Sequence, residues 1–217
     1  MNRSLSMLFL SITLFVLIQD ERWLLGWDLL DMVFMTALLI GIDRKWNDIY
    51  FAGIFMVAIF NRETALFIPA WMMFDGLLTR STSRKLISVA LIAFGIGAIY
   101  ILRETPFYYS NQVFNGQVIG TDSSHINGNH FWLWDNLTHP FTTYPPWMYR
   151  LDLIPAIIVA TVAYFAMQWN RQNTINKGVI LLLASMVAVI VSTVVIHETR
   201  CWFITLPFIL YLIEKSS

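Results

Sequence analysis

The chain has 217 residues, 57% of them hydrophobic and only 13% charged, with a mean hydropathy of +0.61. Soluble domains carry about 25% charged residues, so this composition predicts an integral membrane protein. A formal net charge of zero argues against a nucleic-acid partner and a polybasic lipid-binding surface, and the single cysteine, Cys201, excludes an intrachain disulfide and a cysteine-based metal site.

A short basic start (Arg3) precedes an apolar run over 5–18. No small-x-small cleavage site follows, only Gln19-Asp20-Glu21-Arg22, so this run is expected to be an uncleaved first span. Further membrane segments are expected at 23–42, 49–60, 64–79, 86–102, 153–169, 179–196 and 201–213. That makes about eight, several of them shorter than the roughly 20 residues that cross a bilayer as a helix.

Lysine and arginine sort the connections. Arg3 precedes the first segment, and Arg44 and Lys45 follow the second. Arg80, Arg84 and Lys85 follow the fourth, Arg171 and Lys177 the sixth, and Lys215 the eighth. These are alternate connections, so they share the cytoplasmic side. The expected architecture is an all-α, polytopic membrane helix bundle. It forms a single integral domain over 1–217, multi-pass in the inner cell membrane, with both termini cytoplasmic.

The remaining connections fall together on the extracytoplasmic face. Among them is Asn61-Arg62-Glu63-Thr64, which sets two opposite charges and an amide between two short apolar runs. Ionisable groups below a membrane surface are costly and usually face a bundle interior or a wet cavity. Arg103-Glu104-Thr105 repeats three of its letters, and His197-Glu198-Thr199-Arg200 repeats its Glu-Thr core. Asp20 and Glu21 join them on this face. An isolated Arg-Glu pair at a helix end is more often structural, because long charged side chains snorkel to the interface. Three related motifs on one face raise the weight of a shared polar site. Asp28 and Asp31, three apart on one helix face, either line the same cavity or mark their segment as partly interfacial. Trp23 and Trp27 favour the interfacial reading.

The segment 103–152 is long for a connection without structure of its own. Its aromatic density, from Phe107 through Trp132 and Trp134 to Tyr149, argues against disorder. It is expected to fold over the outer membrane face, with an amphipathic helix around 130–137. His125, His130 and His139, with Asp122 and Asp135, offer donor types for a divalent metal, but their spacing matches no zinc pattern. A metal is therefore the minority reading, and no cofactor is expected. Asn136-Leu137-Thr138 is a glycosylation sequon by pattern alone, and no nucleophile elbow, phosphate-binding loop or dinucleotide fingerprint is present.

Three of these features together carry a resemblance. An acidic pair follows the first segment (Asp20, Glu21). The run Arg62 to Pro69 reads Arg-Glu-Thr-Ala-Leu-Phe-x-x-Pro. A late His-Glu-Thr-Arg (His197 to Arg200) precedes a last segment containing Pro207. In these the chain resembles bacterial members of the C-type (GT-C) glycosyltransferase superfamily, over about a quarter of its length, although it is smaller and has fewer spans. The resemblance implies transfer of a sugar from a polyprenyl-phosphate donor at the extracytoplasmic face, in cell-surface glycan assembly. It implies Asp20 or Glu21 as catalytic base and Arg62, Arg103 or Arg200 as holders of the donor phosphate. With the charged motifs, the expected site comprises the carboxylates Asp20, Glu21, Glu63 and Glu198, and as substrate-binding groups Asn61, Arg62, Arg103, Glu104, His197 and Arg200. The implied partners are membrane lipid and the lipid-linked sugar donor. Two alternatives use the same polar cavity: a transporter of a lipid or solute, and a non-catalytic membrane subunit whose 103–152 segment docks another protein.

Overall fold

A computed structural model describes residues 26–104, 113–114, 117–118, 153–193 and 199–215. At 26–28, 102–104, 113–114, 117–118, 153–155, 193 and 199–201 the description is of the backbone. The apolar runs become helices, several of them joined by short polar connections that make the joined helices antiparallel neighbours. They are α1 (Gly26–Asp43), α2 (Asp48–Ala58), α3 (Phe67–Leu78), α4 (Thr82–Glu104), α5 (Leu153–Met167), α6 (Thr174–Thr193) and α7 (Leu206–Lys215). Single 3-10 turns lie at Glu63–Leu66, Trp169–Arg171 and Thr199–Thr205. The described part of the 103–152 segment beyond α4 is a two-rung antiparallel ladder, β1 (Val113–Phe114) with β2 (Gln117–Val118).

Apart from that two-rung ladder the described residues form a helical bundle, and every expected membrane segment from 23–42 onward has a helical counterpart. The 5–18 segment and the helix expected around 130–137 lie outside the described residues. Length separates the helices sharply. Among the described residues, two stretches are long and apolar enough to cross a membrane, Thr82–Ile101 in α4 and Thr174–Ser192 in α6. Asp48–Ala58 and Ala156–Met167 are apolar but shorter.

The centre of the bundle is α3, which packs between α4 and α6 and also touches α2. On one flank α1 packs against α2, α7 and the Thr199–Thr205 turn, and on another α5 packs against α6 and the same turn. Phe51, Phe55, Ile68, Met72, Leu182, Trp202 and Phe208 are fully buried between these elements. The Phe51 ring lies 4.9 Å from that of Trp71. Large apolar side chains also cover the outside, with Ile49, Val57, Leu86 and Tyr100 all more than half exposed. When the outside is as apolar as the inside, close fit decides which faces meet. Gly95 shows this: a Cβ there would sit 2.7 Å from Leu66 Cδ2 and 2.8 Å from Phe55 Cζ. The backbone of α4 can approach the α2–α3 pair only because that atom is missing. Ser88 Oγ adds a polar tie, donating to the Pro69 carbonyl at 2.6 Å across the α4–α3 seam.

Charge concentrates at one end of the bundle. Arg84, in the first turn of α4, forms an ion pair with Asp48 at the start of α2 (2.6 Å) and donates to Asp75 in the last turn of α3. Its guanidinium lies 5.7 Å from the centre of the Trp71 ring. Lys215, ending α7, meets Asp43, ending α1, at 2.7 Å. That hydrogen bond raises the ammonium above its ordinary pKa, so the tie is complete at neutral pH and is lost only as pH climbs through the raised value. The connections here turn sharply. Lys45 (φ 53°) and Arg80 (φ 58°) both adopt the left-handed conformation, and each closes the helix before it with a backbone hydrogen bond.

Candidate functional site

At the other end of α2 the helix stops against polar residues. The N–H groups of Asn61 and Arg62 both donate to the Ala58 carbonyl, at 2.9 and 3.2 Å. Arg62 then extends (φ −165°, ψ 161°), and Glu63 opens the 3-10 turn that leads into α3. A carboxylate in that first turn suits the positive end of the helix it precedes. Asn61, Arg62, Glu63 and Thr64 are all half-buried. Thr64 Oγ1 is buried with no hydrogen-bond partner among the described residues.

The residue that organises this turn comes from α1. Asp31 is 2% exposed. Its Oδ1 accepts a hydrogen bond from Asn61 Nδ2 at 2.7 Å, and its Oδ2 lies 3.9 Å from Arg62 Nη1. Of the two readings of the Asp28–Asp31 pair, Asp31 fits the one that lines the polar corner. This carboxylate faces the bundle interior, because a buried charge needs hydrogen-bonded partners and the α2–α3 turn supplies them. The amide is the stronger partner by distance and the guanidinium the more remote. Beside Asp31 and Arg62, Glu63 gives the corner one carboxylate more than it has arginines.

Of the ten expected site residues, the structure brings Asn61 and Arg62 together on Asp31, with Glu63 next to them in the chain. Asp20, Glu21, His197 and Glu198 lie outside the described residues. Arg103 and Glu104 are placed as backbone in the last turn of α4. Gly95 stands beside Leu66, and by helix rise Arg103 is roughly 12 Å further along α4. Arg200 is placed as backbone in the Thr199–Thr205 turn, which packs on α1. Lys215 meets Asp43, so α7 runs in the same direction as α1 and carries that turn toward the half of α1 that holds Asp31.

Among the described residues no three His, Cys, Asp or Glu side chains gather as a metal-binding set. The histidines His125, His130 and His139 lie outside them. An open recess of about 330 Å³ runs along α1, lined by Met32, Val33, Thr36, Ala37 and Ile40. The Thr36 hydroxyl is occupied by the Met32 carbonyl at 2.7 Å, so this surface is apolar and separate from the polar corner.

The sequence places Asn61 and Arg62 in a shared polar site and leaves Asp31 either lining that cavity or marking an interfacial segment; the structure puts it on Asn61 and Arg62. The available signal was its position, three residues after Asp28 in an otherwise apolar helix. Comparison with family descriptions, with curated proteins and with solved structures finds no match to this chain.

Proposed function

We propose that the chain is a multi-pass inner-membrane protein, with both termini cytoplasmic, that acts on a polyprenyl-phosphate-linked sugar at the extracytoplasmic side in cell-surface glycan assembly. The two long apolar helices support membrane insertion. The direction of the helices supports the orientation. Arg44 and Lys45 lie between α1 and α2, Arg80, Arg84 and Lys85 between α3 and the first turn of α4, and Arg171 and Lys177 around the start of α6. Gly178 of α6 lies against Leu78 of α3, so all of these basic residues gather at one end of the bundle, as the inner side of a membrane requires.

The observation that carries the functional reading is the buried Asp31 carboxylate held by Asn61 and Arg62 at the opposite end of α2 and α3. Sugar transfer from a lipid phosphate needs a carboxylate to take the acceptor proton and fixed cations for the departing phosphate, a task that suits arginine's planar fork. In this reading Asp31 and Asn61 hold Arg62 in position, Glu63 faces the acceptor, and Asp20 or Glu21 and Arg200 complete the site. The test is sugar transfer from a labelled polyprenyl-phosphate donor in membranes containing Arg62→Ala, Glu63→Gln or Glu198→Gln. Transfer falls by tenfold or more in each while insertion is unchanged. Wild-type transfer in all three variants overturns the assignment.

A second reading, transport of a solute or lipid through the same corner, is favoured by one observation. The turn at Asn61–Thr64 ends well short of the end of α4. A transporter exposes its site alternately to both sides, so reaction of a cysteine at Glu63 with impermeant reagents from either side selects this reading over the first.

A further inference from the structure

The rise of a helix sets how far each element reaches. With 11 and 12 residues, α2 and α3 are about 16 and 18 Å long, against a hydrocarbon layer about 30 Å thick. Neither can cross. The 23 residues of α4 reach about 34 Å and the 20 of α6 about 30 Å.

Their relative levels are fixed by contacts. At the base, Arg84 in the first turn of α4 holds both Asp48 and Asp75. At the tip, Gly95 meets Leu66 and Phe55. Arg84 and Gly95 are about 16 Å apart by helix rise, which matches the length of α2. Beyond Gly95, α4 continues for roughly 13 Å more. On the other flank, Gly178 meets Trp71 and Leu78 near the base, and α6 then rises about 22 Å to its end at Thr193. From its own basal end at Asp43, α1 reaches Asp31 after about 18 Å. Along α4, and by the height of Asp31 on α1, the turn therefore stands a little above half the height of α4, whereas along α6 it falls closer to that helix's end.

We propose that α2, the Glu63–Leu66 turn and α3 form a re-entrant hairpin. It enters and leaves the membrane on the Arg84 side, and Phe60 to Thr64 form the floor of a polar pocket at about half depth, open to the opposite face. Non-helical backbone at that depth persists only where protein covers it or water reaches it. Here Phe60 is 69% exposed and the four residues after it are half-buried. Charged groups at the midplane likewise mark substrate paths. The hairpin changes no orientation, since both of its ends stay on one side. Its ligand is a hydroxyl-rich headgroup that can exchange hydrogen bonds with Asn61, Arg62 and Glu63. That last assignment rests on the proposed function, whereas the depth rests only on membrane insertion.

Labelling of single cysteines, in a Cys201→Ser background, tests the depth. With Phe60→Cys or Glu63→Cys in sealed membranes, a small charged thiosulfonate applied outside reacts, and a bulky polymer-linked maleimide does not. Tyr50→Cys near the base reacts only from the cytoplasmic side. Equal reaction with the bulky reagent puts the turn on the surface and overturns the hairpin. Absence of reaction with either reagent shows a dry tip and overturns the pocket, and reaction of the tip from the cytoplasmic side alone overturns its opening. Carbonate extraction of the wild-type protein is the separate control: release from membranes fails the membrane reading itself, whereas retention with a bulky-reactive tip fails only the inference.

Discussion

Asp31 is a buried carboxylate on an apolar helix, and its removal takes away the acceptor of the Asn61 amide at 2.7 Å and the nearby carboxylate of Arg62. Breaking a buried charged pair from one side costs about 3–5 kcal/mol. Asp31→Ala is expected near the lower figure, because Arg62 keeps 27% exposure and can turn toward water. Asn61→Ala removes one hydrogen bond to a charged group, a loss of about 1.5–3 kcal/mol. Thermal unfolding in detergent measures both, and an Asp31→Ala protein as stable as wild type refutes the structural role. This is also where the sequence was least legible. Asn61 and Arg62 stood out because charge interrupts two apolar runs, whereas Asp31 sits 30 positions away and only the antiparallel return of α2 onto α1 reveals the pairing.

At the scale of elements, the seam between α4 and the hairpin depends on one missing side chain. Gly95→Val forces atoms to within 2.7–2.8 Å of Leu66 and Phe55, and overpacking of that kind costs about 1–3 kcal/mol. Gly97 on the same helix has nothing within 4 Å of its would-be Cβ. Gly97→Val is therefore expected to leave the melting temperature within a degree or two of wild type while Gly95→Val lowers it clearly. The turn after α1 offers the opposite sign. Lys45 holds φ 53°, a conformation that costs a side-chain-bearing residue about 1–2 kcal/mol, and glycine returns part of that gain to the unfolded chain. Lys45→Gly should stabilise by about 0.5–1 kcal/mol in the same assay. The helices themselves were legible in the apolar runs, to within a few residues at most ends. Which of them are full-length was less so: 49–60 and 64–79 read as short spans, and only the contacts of Gly95 and Arg84 fix how far they reach along α4.

Across the whole molecule, Arg84 joins three elements that are distant in length and direction. Arg84→Ala leaves Asp48 and Asp75 facing each other at the base of the hairpin. The expected cost is about 2–3 kcal/mol, somewhat below that of a fully buried network because the Arg84 side chain is 24% exposed. Arg84→Lys should recover less than half of it, since a single ammonium cannot present a planar fork to two carboxylates beside Trp71 as the guanidinium does. Stability of the two variants in detergent checks both statements. The positions of the basic residues, and hence the alternation of the helices, were readable from sequence. Their convergence on one arginine was not, because it depends on the hairpin being no longer than the stretch of α4 from Arg84 to Gly95.

The same clamp bears on the order of synthesis. Asp48 and Asp75 emerge from the ribosome before Arg84, so for that interval the hairpin carries like charges at both feet and nothing to hold them together. The hairpin should stay unlatched until the first turn of α4 arrives, and a nascent chain whose residues only up to Leu78 have cleared the ribosome should leave Asp48 and Asp75 unpaired with Arg84. Closure then coincides with insertion of α4, which couples the seating of two helices that cannot span to the arrival of one that can.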